Sequence, residues 1–200
     1  MKNGNRPRWL VPVAVVAAIL LLIGLLFALP YNGLVNKQAT ADQMFADLDT
    51  QLQRRNDLIP NLVNAVKGAL NQEQTVFGDL AKAREAYAGA RSVEDKSAAT
   101  SQIDNGIGRL LAIVENYPQL RSNENIRDLQ TQLEGTENRI AQARRDFNGA
   151  VTSYNVAIRS FPRSLIAGIF GFDRRPLFEA AKGAANNPTV DFGTTTTTAK

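Results

Sequence analysis

The sequence predicts an all-α protein: an N-terminal transmembrane helix followed by an antiparallel bundle of about four long helices. Three observations carry this. A stretch of 21 residues, opening at Trp9 and closing at Leu29, contains no charge. Beyond it, apolar residues recur three, four and seven apart over several long segments, the spacing of one helix face. No segment shows the two-residue alternation that a half-buried strand requires.

Composition narrows the function classes. A length of 200 residues suits one domain plus a membrane segment. The chain has no cysteine and no histidine. Disulfides and thiolate metal sites are therefore out of reach, and the usual general base, metal ligand and pH switch is missing. The expectation is a protein that is not an enzyme and holds no cofactor or metal. Removing Lys2, Arg6 and Arg8 from the 23 Lys and Arg leaves 20 against 19 Asp and Glu. A nearly neutral remainder lacks the clustered positive charge that phosphate backbones demand, so nucleic acid is not an expected partner.

The apolar stretch at residues 9–29 spans roughly 30 Å as a helix, the thickness of a hydrocarbon core. Trp9 and Tyr31 stand at its ends, where amphipathic rings favour the headgroup region. Its exit, Phe27-Ala28-Leu29-Pro30, lacks the small-x-small pattern of a cleavable signal, and no cysteine follows for lipid attachment. An uncleaved anchor in the lipid bilayer is the expectation. Three basic residues precede it and only Lys37 closely follows, so the N-terminus is expected in the cytoplasm and the remainder outside the inner membrane.

A first soluble helix is expected over residues 33–70. Leu34, Ala41, Leu48 and Leu62 form one line, and Phe45, Leu52, Ile59 and Val66 a second beside it. Arg55 falls on that apolar seam. Pro60 predicts a kink near Asn56, or else a new helix capped by Asn56 or Asp57. Residues 71–74 read as a turn or as further helix. Val76, Phe77, Leu80 and Tyr87 continue the pattern, and the first real reversal is expected at residues 89–95, with Ser92 and Asp95 as a weak capping box.

The return begins with Ile103, Ile107, Leu110, Leu111, Val114 and Tyr117 and is ended by Pro118. Ser122 or Asn123 can cap the next helix. In it Ile126, Leu133, Ile140, Phe147, Tyr154 and Phe161 are spaced by seven, beside Leu129, Thr136, Ala143, Ala150 and Ala157 at the same spacing. Bulky residues beside a mostly small line invite a close partner helix. The helix is expected to run to Phe161-Pro162.

The chain thus divides into a short cytoplasmic N-terminus (1–8), the anchor (9–29), the bundle (30–162), an apolar and basic C-terminal segment (163–182) and a tail (183–200). The tail, with its threonine run, cannot bury a core and is expected to be disordered. The apolar part of the 163–182 segment, residues 163–172, is broken by glycine and too short to cross a bilayer. The segment either folds over the end of the bundle or offers an apolar patch, aided by Arg163, Arg174 and Arg175, to a partner or a membrane surface.

Several motifs resemble those of the LemA family of bacterial and archaeal membrane proteins. They are Tyr31-Asn32-Gly33-Leu34-Val35, the run from Leu52 through Arg54-Arg55-Asn56-Asp57-Leu58-Ile59-Pro60 to Val63, Ala83-Arg84, Tyr154-Asn155, Phe161-Pro162, Gly171-Phe172 and Phe178-Glu179-Ala180. The resemblance implies a single anchor and a bundle of four long helices. It implies no reaction, cofactor or catalytic residue.

The residues singled out as structural or interaction candidates are Arg54, Arg55, Asp57, Pro60, Tyr154, Asn155, Phe161, Pro162, Arg174 and Arg175. A buried Arg55 would require a carboxylate, with Glu73 or Asp146 among those considered; Arg54 is left open. Asp42, Asp47, Asp49 and Asp57 lack calcium-loop framing and read as a solvated face. Ser92, Ser97 and Ser101, even with Lys96 or Lys82 nearby, have no catalytic motif around them. Gly106 and Gly108 read as points of close helix packing. The expected function is that of an interaction or scaffold module of the cell envelope, binding other envelope proteins or copies of itself. The alternative is a membrane-organising or remodelling protein acting through oligomerised bundles.

Overall fold

One helix carries the chain from the membrane segment into the bundle. In the computed structural model, which describes residues 9–68 and 74–179, helix α1 runs unbroken over Leu10–Lys67, about 87 Å at 1.5 Å per residue. The anchor and the first soluble helix are thus a single element rather than two. Pro30 and Pro60 both lie inside it. An interior proline costs about 3 kcal/mol locally, yet Ile59 and Leu62 on either side of Pro60 are buried in the core. Their burial, at roughly 1.5–3 kcal/mol each, outweighs the lost hydrogen bond. No new helix starts at Asn56 or Asp57, and Asn56 is buried instead.

Helix α2 (Gln74–Gly89), α3 (Val93–Asn116), the single turn α4 (Pro118–Arg121), α5 (Glu124–Ala157) and α6 (Arg163–Phe170) follow. The Lys67 ammonium lies 5.1 Å from the centre of the Phe77 ring, and Tyr87 reaches back to Asp49. Helix α2 therefore already runs antiparallel to α1. The first reversal falls between Lys67 and Gln74, and the one expected at residues 89–95 is the second. Ser92 caps α3 as signalled, its Oγ accepting from the Asp95 N–H at 3.0 Å. Asn123 caps α5 by accepting from Asn125 and Ile126.

Two helix pairs approach most closely, α1 with α5 and α2 with α3. Small residues explain both. The line Thr136, Ala143, Ala150 and Ala157 lets the α5 backbone settle against α1. On α3, Gly106 sits so tightly against Leu80 of α2 that a β-carbon there would collide with the leucine methyl. Gly108, in contrast, faces open space, so close packing accounts for only the first of that pair. The two layers close on a core built from Leu48, Leu52, Ile59 and Leu62, from Leu80, from Ile103 and Leu110, and from Ile126, Ile140 and Phe147.

The seven-residue line of α5 is buried from Ile126 through Tyr154. It does not extend to Phe161, because α5 ends at Ala157 and Phe161 is 82 % exposed. Pro162 disfavours helix in the residue before it, so the chain turns away early. A second cluster of Leu34, Tyr154, Ala157, Ile158, Ile166 and Ala167 closes the membrane-proximal end. Gly171 ends α6 at φ 71°, a left-handed position that suits glycine. From there the chain runs without helix to Glu179 along the bundle. The expected N-terminal segment 1–8, the tail at 183–200 and the turn at 71–73 lie outside the described residues.

Candidate functional site

Arg55 ties three helices together. It is 3 % exposed on α1. Its Nη2 stands 2.6 Å from Asp104 Oδ1 of α3, and its Nη1 donates to Glu137 Oε2 of α5 at 2.7 Å. The buried arginine has its carboxylates, as its place on the seam required, but they are other acidic residues than the two named from sequence. Asp146 accepts from Gln142 on its own helix, and Glu73 lies outside the described residues. Asp57 is exposed and Arg54 points to solvent, which settles the latter as a surface residue. Burial pushes the Asp104 carboxyl above the usual aspartate range; Arg55 opposes this and Glu137 adds to it. A cleft of about 410 Å³ opens beside the group, with Ile107, Leu111 and Leu133 as apolar wall and Glu115, Glu134 and Glu137 as acidic rim.

A second polar knot sits on Asp49. Tyr87 and Lys96 each donate to its Oδ1 at 2.5 Å, and the Lys96 ammonium lies over the rings of Phe45 and Tyr87. Burial, then the bond to Asp49, raises the Tyr87 phenol well above its usual range. Asp49 is thus a tie between α1, α2 and α3 rather than part of a solvated face, whereas Asp47 is exposed as expected. Lys96 is committed to Asp49, while Ser97 donates to the Glu179 carbonyl and Ser101 to that of Ser97. Among the described residues no three acidic groups gather to hold a metal.

The C-terminal segment is strapped to α5 by two asparagines. Asn155 donates to the Arg175 carbonyl at 2.8 Å and accepts from its N–H at 2.9 Å. Asn148 makes the same exchange with Phe178 at 3.0 and 2.9 Å. Seven residues of helix rise about 10.5 Å, and three residues of extended chain span about 10 Å, so the two repeats match. Each amide side chain pairs with the strap as a neighbouring strand would. The Phe178 ring is buried beneath, with the Arg144 guanidinium over it. Arg175 pairs with Asp42 and covers the Tyr154 ring, whereas Arg174 is exposed. Tyr154, buried here, has its phenol raised by that burial. The segment therefore folds over the bundle in its second half, while α6, before it, leaves apolar residues outside.

Sequence reasoning located Arg55, Tyr154, Asn155 and Arg175, named Phe178 only within a resembling motif and Asp49 only as part of a solvated face, and missed Asp104, Glu137 and Asn148. Only the seven-residue spacing of Asn148 and Asn155 could have pointed to the strap. Arg54, Asp57, Phe161, Pro162 and Arg174 are not drawn into these knots, and Pro60 is half-buried within α1.

A family model described as LemA family matches residues 44–192, a span that covers Arg55, both asparagines and the strap. The chain belongs to the LemA family. Among curated relatives of this LemA protein, magnetosome protein MamQ of Magnetospirillum gryphiswaldense is 28% identical, covering 80% of this chain and 68% of the relative. Magnetosome protein MamQ 2 of Paramagnetospirillum magneticum is 26% identical over the same shares. Among the described residues one helix, near the N-terminus, is long and apolar enough to cross a membrane, and this member of the LemA family is a membrane-associated helical protein.

Proposed function

We propose that the protein is a non-enzymatic scaffold of the cell envelope. It is anchored once in the cytoplasmic membrane through residues 9–29, with the bundle on the outer side, where it gathers other envelope proteins or further copies of itself. One observation carries this reading: α1 runs without a break from the charge-free stretch into the centre of the bundle. A bundle built on the same rigid rod as its anchor is presented to the bilayer surface in a set orientation. Confinement to two dimensions raises local concentration, so modest interfaces suffice. Arg55, Asp49, Lys96, Tyr87 and Ser97 each tie one element to another.

Photocrosslinking in intact cells tests the reading, from Asn36 near the anchor and from Asn138 further along the bundle, both exposed. Discrete protein adducts that differ between the two positions are expected, and they should survive replacement of residues 9–29 by an unrelated span but not their removal. Absence of protein adducts from both positions would sink the scaffold role. Topology is separable: Asn36→Cys meets no competing thiol in this chain, and a membrane-impermeant maleimide should label it without breaching the inner membrane.

A further inference from the structure

Helix α6 is apolar on the side it turns away from the bundle. Ile166 and Ala167 are buried against the second cluster, whereas Leu165, 59 % exposed, and Ile169, 66 % exposed, share an outward stripe one turn apart. Phe161, just before the helix, is more exposed still. The position of this stripe identifies its cover. At the start of α6 the Arg163 guanidinium lies over Gly33, its Nε 3.7 Å from where a β-carbon would stand. At the end, the Phe170 ring packs tilted against Tyr31 with ring centres 4.9 Å apart, and Phe172 meets Tyr31 edge-on at 5.7 Å. Tyr31 and Gly33 are about 3 Å apart along the axis of α1, whereas α6 is about 12 Å long. Helix α6 therefore crosses α1 instead of running beside it. It does so within one turn of Leu29, the last residue of the charge-free stretch and itself 67 % exposed.

We infer that α6 is an interfacial helix, with Leu165 and Ile169 seated in the acyl–headgroup boundary of the leaflet from which α1 emerges. The inference rests on α1 spanning the bilayer. A short amphipathic element lying across a membrane span at its exit is in the plane of that boundary. Apolar surface runs from Leu29 through Tyr31 to Phe170 and Ile169, and lipid covers α1 and α6 together without a break. Exposed Arg159, one turn before α6, and half-buried Arg163, at its start, flank the stripe, where they meet anionic headgroups. The bundle is then held to the bilayer at two points, and its tilt is set by α6 as well as by α1.

The test uses the full chain in vesicles of phosphatidylcholine and phosphatidylglycerol, with single nitroxide labels at Leu20→Cys, Ile169→Cys and Asn138→Cys. Accessibility to oxygen and to a water-soluble nickel chelate is read at each. The label at position 169 is expected about 5–10 Å below the boundary, protected from chelate and open to oxygen. The label at 138 should be freely reached by chelate. A label at 169 that chelate reaches as readily as at 138 overturns the inference, as does one shielded from both probes, which would mean contact with a second copy. The label at 20 reports the anchor independently: deep placement there with failure at 169 rejects only the interfacial helix, and chelate access at 20 rejects both. Leu165→Ser with Ile169→Ser should leave the melting temperature in detergent unchanged, showing that the stripe is not core.

Discussion

Asn155 and Arg175 exchange two hydrogen bonds, side-chain amide against backbone, and so hold the C-terminal segment on α5 as a strand would be held. Asn155→Leu removes both partners from the Arg175 backbone. An unmade bond at a half-buried group costs about 1–3 kcal/mol, and each 1.4 kcal/mol is a factor of ten in an equilibrium. Trypsin should then cut after Arg174 at least about tenfold faster than in the parent, with a smaller fall in the melting temperature of the bundle. Unchanged proteolysis would show that Asn148 and Phe178 hold the strap unaided.

Arg55→Leu is expected to be among the most damaging single changes, because it leaves Asp104 buried without its counter-charge. Breaking such a pair costs about 3–5 kcal/mol. Arg55→Leu with Asp104→Leu should recover part of that loss, since the orphaned carboxylate goes too. Glu137→Gln should cost about 1 kcal/mol or less, its side chain being half in solvent. Denaturant unfolding of the variants measures all of these.

Asp104 also imposes a pH dependence. Its carboxyl is raised in the folded protein, chiefly by burial, so over the window between its ordinary and raised values the folded state binds more protons than the unfolded. Its contribution to stability is complete below the ordinary aspartate value and is lost as pH rises through the raised one. The stability of the parent minus that of Asp104→Asn should therefore fall from acid pH toward neutral. A difference that rises over that range would contradict the burial argument.

Two glycines on α3 should respond in opposite directions to alanine. At Gly106 the new methyl collides with fully buried Leu80, and overpacking costs about 1–3 kcal/mol. At Gly108 nothing lies within reach, and the gain in helix propensity is about 1 kcal/mol. Melting temperatures of the two variants give the comparison directly.

The fold class was legible because helix periodicity, capping residues and proline stops act within a few residues of one another. Ser92, Asn123 and Pro118 each did locally what their chemistry announces. Phe161 shows the limit of such reading: its seven-residue spacing placed it on the seam, yet the proline beside it ends the helix first. Arg55 could be read as buried from its place on an apolar line, but its partners could not. Asp104 and Glu137 come from other helices, and several acidic residues were equally plausible by spacing. The strap was illegible for a related reason, since its bonds use the backbone of Arg175 and Phe178, which carries no sequence signature.

The sequence by itself determined an all-helical chain, a charge-free membrane segment at one end, and the apolar faces that a bundle must bury. These follow from spacing and composition, which are properties of each segment alone. Only the tertiary structure decided that α1 continues through Pro30 and Pro60, that the first reversal comes before α2, and that Arg55 answers to Asp104 and Glu137. It also decided that α6 crosses α1 at Tyr31, just past the charge-free stretch. Each of these is settled by burial and pairing between residues far apart in the chain, where the free energy of contact outweighs local preference.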